Sequence, residues 1–81
     1  MISDKTMNFK VERDKSVKTK EILKEVYEAL AEKGYNPINQ IVGYLMSGDP
    51  GYISSHKEAR NKIMRIDRTK LLEVLVTDFL S

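Results

Sequence analysis

The stretch "EKGYNPINQIVGYLMSGDPGYI", residues 32–53, decides the fold because it holds the start, the apolar stripe and the end of one helix. Asn36 is placed to cap that helix, and Pro37 occupies its first turn, where a missing N–H costs nothing. Ser47-Gly48 closes the helix, and Asp49-Pro50-Gly51 forms a turn. Five apolar residues between these signals recur at helical spacing and predict one continuous buried stripe: Ile38, Ile41, Val42, Leu45 and Met46.

Gly43 lies inside this helix, where glycine costs about 1 kcal/mol relative to alanine. Another backbone or an aromatic ring packing closely over the glycine would account for that cost. We therefore predict that Gly43 marks a close contact.

A second helix is predicted upstream, from residue 17 to a C-terminal stop at Gly34, which can adopt positive φ without a Cβ clash. Either Asp14 or Ser16 is its candidate N-cap. Its apolar residues form one stripe and its outer face is charged. The stripe consists of Ile22, Leu23, Val26, Tyr27 and Leu30.

Two more helices are predicted downstream. The run Ser55-His56-Lys57-Glu58 has the form of a capping box, in which Ser55 would start a third helix. Asp67 is the expected cap of a final helix, which is strongly apolar for a terminal segment. Its apolar residues are Leu71, Leu72, Leu75, Val76, Phe79 and Leu80.

The N-terminal residues follow a different pattern. Residues 1–6 hold few apolar anchors and are predicted to be a flexible tail. Met7, Phe9 and Val11 then alternate with polar residues, which predicts a short extended segment lying along a helical surface or pairing with its copy in a second subunit. The predicted organisation is therefore a tail over residues 1–6 and a helical domain over residues 7–81.

The chain has 81 residues, so its core is thin for the apolar surface that its helices carry. The stripes at Ile38–Met46 and Leu71–Leu80 exceed what one small core needs. We therefore predict an all-α, four-helix domain that forms a homodimer.

Composition limits the possible functions. The absence of cysteine excludes disulfides and thiolate chemistry. No apolar run approaches the roughly 18 residues that a membrane-spanning helix requires, so we expect a cytoplasmic protein without membrane insertion. The lone histidine, His56, has no second ligand or nucleophile beside it, and the glycines form no phosphate loop. No catalytic, metal or cofactor site is predicted.

Basic residues are concentrated in "HKEARNKIMRIDRTK", residues 56–70, although the net charge is only +2. Three interpretations remain open: a solvated surface, a phosphate-docking site, and a nucleic-acid-binding helix. The loop before this helix is about twice as long as the 3–4-residue turn of a helix-turn-helix, which disfavours the last interpretation. The candidate docking residues are Lys57, Arg60, Arg65 and Arg68.

The run "EKGYNPINQIVGYLMSGDPGYI", followed by "ARNKI" and by Arg68, resembles the IreB family of small regulatory phosphoproteins. The resemblance covers nearly the whole chain. It implies a helical dimer without enzymatic activity. It also implies partnership with a transmembrane Ser/Thr kinase that bears extracellular PASTA domains, and with its cognate phosphatase, in the control of cell-envelope stress and cephalosporin resistance.

The same resemblance implies the sites of phosphorylation. The family's acceptors are threonines in an N-terminal motif of the form T-D-E-T, which resembles "SDKT" here and places the acceptors at Ser3 and Thr6. Two positions depart from the motif, since Ser3 replaces a threonine and Lys5 replaces an acidic residue. Thr6 keeps the residue type of the motif.

Overall fold

The computed structural model describes the backbone of residues 2–81 and the side chains of residues 17–81. Over these residues the chain forms four α-helices and no strand: α1 (Ile2–Glu32), α2 (Pro37–Ser47), α3 (Ala59–Met64) and α4 (Arg68–Leu80). Two short 3-10 helices, Pro50–Tyr52 and His56–Glu58, connect α2 to α3. The predicted all-α, four-helix class is therefore confirmed.

Helix α1 is much longer than predicted, because it begins at Ile2 rather than near residue 17. The segment around Met7–Val11 was expected to be extended, and that prediction is wrong. Alternation over so few residues is weak, and Met7 and Val11 also have the i,i+4 spacing of a helix. Extending an existing helix avoids the cost of a new nucleus, so the turns after residue 17 favour helix before it. Asp14 and Ser16 are consequently interior to α1 and are not at its N-terminus.

The core lies where α2, α3 and the connecting loop pack against the second half of α1. Val26 and Leu30 of α1 are fully buried, as their stripe predicts, whereas Tyr27 of the same stripe is 45% exposed. Helix α4 packs on α1 through Leu71 and Val74. The main buried cluster consists of Val26, Ala29, Leu30, Ile41, Tyr44, Ile53, Ala59 and Ile63.

The ends of α2 match the prediction. The backbone N–H of Asn39 donates to Asn36 Oδ1 at 3.1 Å, and Pro37 occupies the first turn. At the other end Gly48 has φ +76° and donates its N–H to the carbonyl of Tyr44 at 2.7 Å. Gly34, at the end of α1, also adopts the predicted positive φ, +84°.

The buried stripe predicted for α2 is wrong in its orientation. Ile41 and Tyr44 face the core, while Ile38, Val42 and Met46 are 59%, 50% and 81% exposed. Tyr44 lies three residues after Ile41, so it shares a helix face with it. Burial of this aromatic side chain turns the aliphatic stripe partly outward.

Gly43 makes the close contact that was predicted. A Cβ atom on this residue would lie 2.5 Å from both Cδ1 and Cε1 of Tyr52. The ring belongs to the 3-10 helix Pro50–Tyr52, and the carbonyl of Tyr52 accepts a 2.9 Å hydrogen bond from Gln40 Nε2. Because Gly43 has no side chain, the loop can pack directly on α2.

The capping box predicted at Ser55 does not form. Ser55 makes no side-chain capping bond, and α3 begins at Ala59. Lys57 and Glu58 adopt left-handed conformations, with φ of +52° and +63°. The carboxylate of Glu32 accepts from His56 Nε2 at 2.8 Å and Lys57 Nζ at 3.0 Å, so contact with α1 offsets the local preference for helix.

The cap predicted for the last helix is present. The backbone N–H of Lys70 donates to Asp67 Oδ2 at 3.2 Å, and Asp67 itself is extended, with φ −60° and ψ 132°. This geometry is typical of an N-cap residue.

Candidate functional site

The four predicted docking residues do not form one open phosphate site. The guanidinium of Arg60 points back into the fold, where its Nε donates to the carbonyls of Ile53 at 2.9 Å and Pro50 at 3.2 Å. It therefore fixes the loop before α3. Arg60 is only partly exposed and serves the structure of the loop.

Arg68 is engaged at the end of α2. Its Nη1 donates to the carbonyl of Leu45 at 3.0 Å, which satisfies one of the last carbonyls of that helix. A Cβ on Gly48 would lie 2.8 Å from Arg68 Cζ, so the guanidinium covers this glycine closely.

Lys57 is also partnered, since its ε-ammonium and the ring of His56 share the carboxylate of Glu32. The hydrogen bond from His56, followed by that from Lys57, holds the pKa of the Glu32 carboxyl below its ordinary value of 4.5. All three groups are partly or well exposed, so this cluster positions the loop and resembles no catalytic arrangement.

Arg65, the remaining member of the predicted set, lines a cleft together with two lysines. The cleft lies between α1 and the turn joining α3 to α4 and has a volume of about 400 Å³. We call it the basic cleft, and it is lined by Lys18, Thr19, Ile22, Arg65, Ile66, Asp67 and Lys70.

Two cations of the basic cleft were not among the candidate docking residues. Lys70 was counted with Arg65 in the basic run 56–70 but left out of the docking set, and Lys18 lies far away in sequence. No spacing rule relates Lys18 to Arg65, since only the packing of α3 and α4 on α1 brings the two regions together. The five-residue separation of Arg65 and Lys70 across a helix start gives no periodic signal either.

A second surface is an apolar cleft of about 500 Å³ between α2 and α4 over α1. Lys20 Nζ and Asp78 Oδ1 form an ion pair of 2.6 Å at its edge. The same helices carry further large exposed apolar side chains, including Met46, Val76 and Phe79. We call the apolar cleft together with these exposed side chains the apolar face. The cleft itself is lined mainly by Leu23, Tyr27, Ile38, Ile41, Val42, Leu45 and Leu75.

The predicted phosphoacceptors lie where only the backbone is described. Ser3 and Thr6 fall in the first turns of α1, and their side chains are outside the described part of the structure. The acceptor assignment and the flexibility of residues 1–6 stay predictions.

Neither a metal-holding cluster nor a membrane-spanning helix is found among the described residues. Among residues 17–81, His, Asp and Glu side chains nowhere gather in a group of three or more that could hold a metal ion. Within the described part of the chain, no helix has both the length and the apolar character needed to cross a membrane.

A small helical domain with an apolar face and a separate basic cleft has the surfaces of a binding protein. A family model described as IreB regulatory phosphoprotein matches residues 4–81 of the chain. The chain belongs to this family, which confirms the resemblance read from residues 32–68. Its role is therefore regulatory.

Proposed function

We propose that this protein is a non-enzymatic, cytoplasmic phosphoprotein. A transmembrane Ser/Thr kinase with extracellular PASTA domains phosphorylates it, and a cognate phosphatase removes the phosphate. In this role it controls the response to cell-envelope stress and resistance to cephalosporins. The match of the IreB regulatory phosphoprotein model to residues 4–81 carries the proposal. The partners are inferred from the family.

Thr6 is the principal acceptor in this proposal. It lies inside the matched range 4–81, whereas Ser3 lies just before it. A kinase needs the acceptor on an extended backbone, and the first four N–H groups of a helix have no intrahelical partner. Unwinding the end of α1 at Thr6 therefore costs less than unwinding its middle. Ser3 is the secondary acceptor.

Phosphorylation of the full chain by the cognate kinase, followed by mass spectrometry, tests this assignment. We expect phosphate on Thr6, with Ser3 as a minor site, and loss of most incorporation in Thr6→Ala. Thr19 is the internal control for Thr6, because it lies on the same helix but is only 6% exposed. Exclusive modification of Thr19, Thr69 or Thr77 would overturn the assignment.

A second copy of the chain is the partner proposed for the apolar face. Val42 and Ile38 expose half or more of their surface, and the face extends over three helices. Monomers rarely expose contiguous apolar surface of this kind, and a two-fold dimer would bury the same patch on both subunits. Burial of the apolar face would supplement the thin core of an 81-residue domain.

The alternative function, binding of nucleic acid, receives no support from the positions of its proposed cations. Arg60 and Arg68 both donate to backbone carbonyls of their own chain. These bonds hold both guanidinium groups against the loop before α3 and the end of α2. We therefore do not carry this alternative further.

A further inference from the structure

We propose that the basic cleft binds the phosphate of the chain's own phosphorylated N-terminal segment, an inference that rests on the proposed function. It replaces the predicted docking set Lys57, Arg60, Arg65 and Arg68 with a set that only tertiary packing assembles. The new set is Lys18, Arg65 and Lys70.

The charge of the basic cleft matches that of a phosphate monoester. Lys18, Arg65 and Lys70 oppose one lining carboxylate, that of Asp67, for a net charge of +2. Phosphothreonine carries about −1.5 to −2 at neutral pH. The carboxylate of Asp67 already accepts a hydrogen bond from the backbone amide of Lys70, so part of its hydrogen-bonding capacity is used at the start of α4.

Among the described side chains, the cations of the basic cleft have few acidic partners. Within residues 17–81, neither Lys18 nor Arg65 takes part in an ion pair, and both are exposed. Lys70 has only a long contact, 3.8 Å from Nζ to Glu73 Oε1. This contrasts with the guanidinium groups of Arg60 and Arg68, which their own backbone holds.

The floor of the basic cleft is largely apolar. Ile22 and Ile66 are partly buried, and Thr19 beside them is 6% exposed. An anion seated between these residues and the three cations would lose part of its water. Charge-assisted hydrogen bonds strengthen under that condition, and a planar guanidinium such as that of Arg65 can donate two parallel bonds to phosphate.

The position of the cleft selects the N-terminal segment as the occupant. Lys18 and Thr19 line it from α1, so the chain leads directly from the acceptor region to the cleft. While α1 is helical, Thr6 lies about 18 Å from Lys18 along the axis. The same twelve residues span up to about 40 Å when extended, which is ample for the chain to fold back. Docking therefore requires the first turns of α1 to unwind. The proposed phosphorylation of Thr6 requires unwinding at the same end of the helix.

Titration of the unphosphorylated full chain with a synthetic peptide of residues 1–12, phosphorylated at Thr6, tests the basic cleft directly. We expect saturable NMR shifts at the Arg65 side-chain Nε–Hε and at the amides of Lys18 and Lys70, and none with the unphosphorylated peptide. Arg65→Gln should weaken binding about tenfold. Lys33→Gln is the matched control, because Lys33 is an exposed cation just past the C-terminal end of α1 and outside the lining of the basic cleft, so this change should leave the affinity unchanged.

The same shifts should appear, independent of protein concentration, in the full chain after kinase treatment. Absence of shifts at the cleft in a chain phosphorylated on Thr6 would overturn the inference and leave the proposed function standing. Failure of the kinase to modify the chain would instead count against the proposed function, while the peptide titration still decides the cleft. Equal weakening by Arg65→Gln and Lys33→Gln would show nonspecific attraction and refute the site.

Discussion

Replacing Gly43 by alanine should destabilise the protein, although the change improves helix propensity. Alanine is favoured over glycine inside a helix by about 1 kcal/mol. The new Cβ, however, would lie 2.5 Å from two ring carbons of Tyr52, whereas carbon atoms in good contact are about 3.5–4.0 Å apart. The ring must therefore withdraw by about 1 Å or more.

The magnitude depends on how freely that ring can move. Tyr52 is 40% exposed, which allows some withdrawal, but its backbone is held by Gln40 and by the 3-10 turn that begins at Pro50. Overpacking typically costs about 1–3 kcal/mol, so the net effect of Gly43→Ala is a loss of about 1 kcal/mol. In a domain of this size that lowers Tm by about 4–8 °C.

A double-mutant cycle with Tyr52→Ala makes the test specific. Without the ring, Gly43→Ala should raise stability by about 1 kcal/mol, so the two changes should couple by about 2 kcal/mol. Thermal unfolding should be followed at one fixed protein concentration, because self-association shifts Tm. A higher Tm for Gly43→Ala in the wild-type background, or additive effects of the two changes, would refute the packing account.

Three further predictions concern the assembly, the left-handed loop and its carboxylate. Val42→Lys should convert the dimer to a monomer, as measured by light scattering. Met64→Lys, at an exposed apolar residue outside the apolar cleft, should leave the mass unchanged. A monomeric mass for the wild-type protein at high concentration would contradict the proposed dimer. At Lys57, φ +52° makes Lys57→Gly more stable than Lys57→Ala by about 1 kcal/mol in chemical denaturation, whereas a helical residue would show the reverse order. Glu32 has a folded pKa below 4.5, so the stability that its ionised carboxylate contributes is present above pH 4.5 and is lost as the pH falls through the folded pKa. Glu32→Gln should therefore flatten this part of the dependence of unfolding free energy on pH. An unchanged slope would contradict the lowered pKa of Glu32.

Local sequence signals placed most helix ends correctly because those ends depend on residues within one turn. Asn36 accepts from an amide three residues on, Asp67 does the same, and Gly48 takes the positive φ that glycine tolerates. The close contact at Gly43 was also readable, since a glycine inside an otherwise regular helix needs a packing reason.

Helix orientation could not be read in the same way. The aliphatic stripe of α2 is genuine, but the core takes the neighbouring face that contains Tyr44 and leaves Val42 half exposed. Periodicity identifies an apolar face and does not say whether the chain's own core or another surface covers it. The apolar cleft therefore became visible only once α1, α2 and α4 were placed together.

Contacts between distant residues decided the remaining features. Ser55 and Glu58 have the letters of a capping box, yet Glu32, more than twenty residues earlier, holds His56 and Lys57 in a different arrangement. Likewise Lys18 and Arg65 share a cleft only because α3 and α4 pack on α1. The sequence by itself determined the helical class, the N-caps of α2 and α4 and the family, since these depend on local spacing and motif. The tertiary structure decided which cations remain available and which apolar face stays exposed, because both depend on partners that no local pattern specifies.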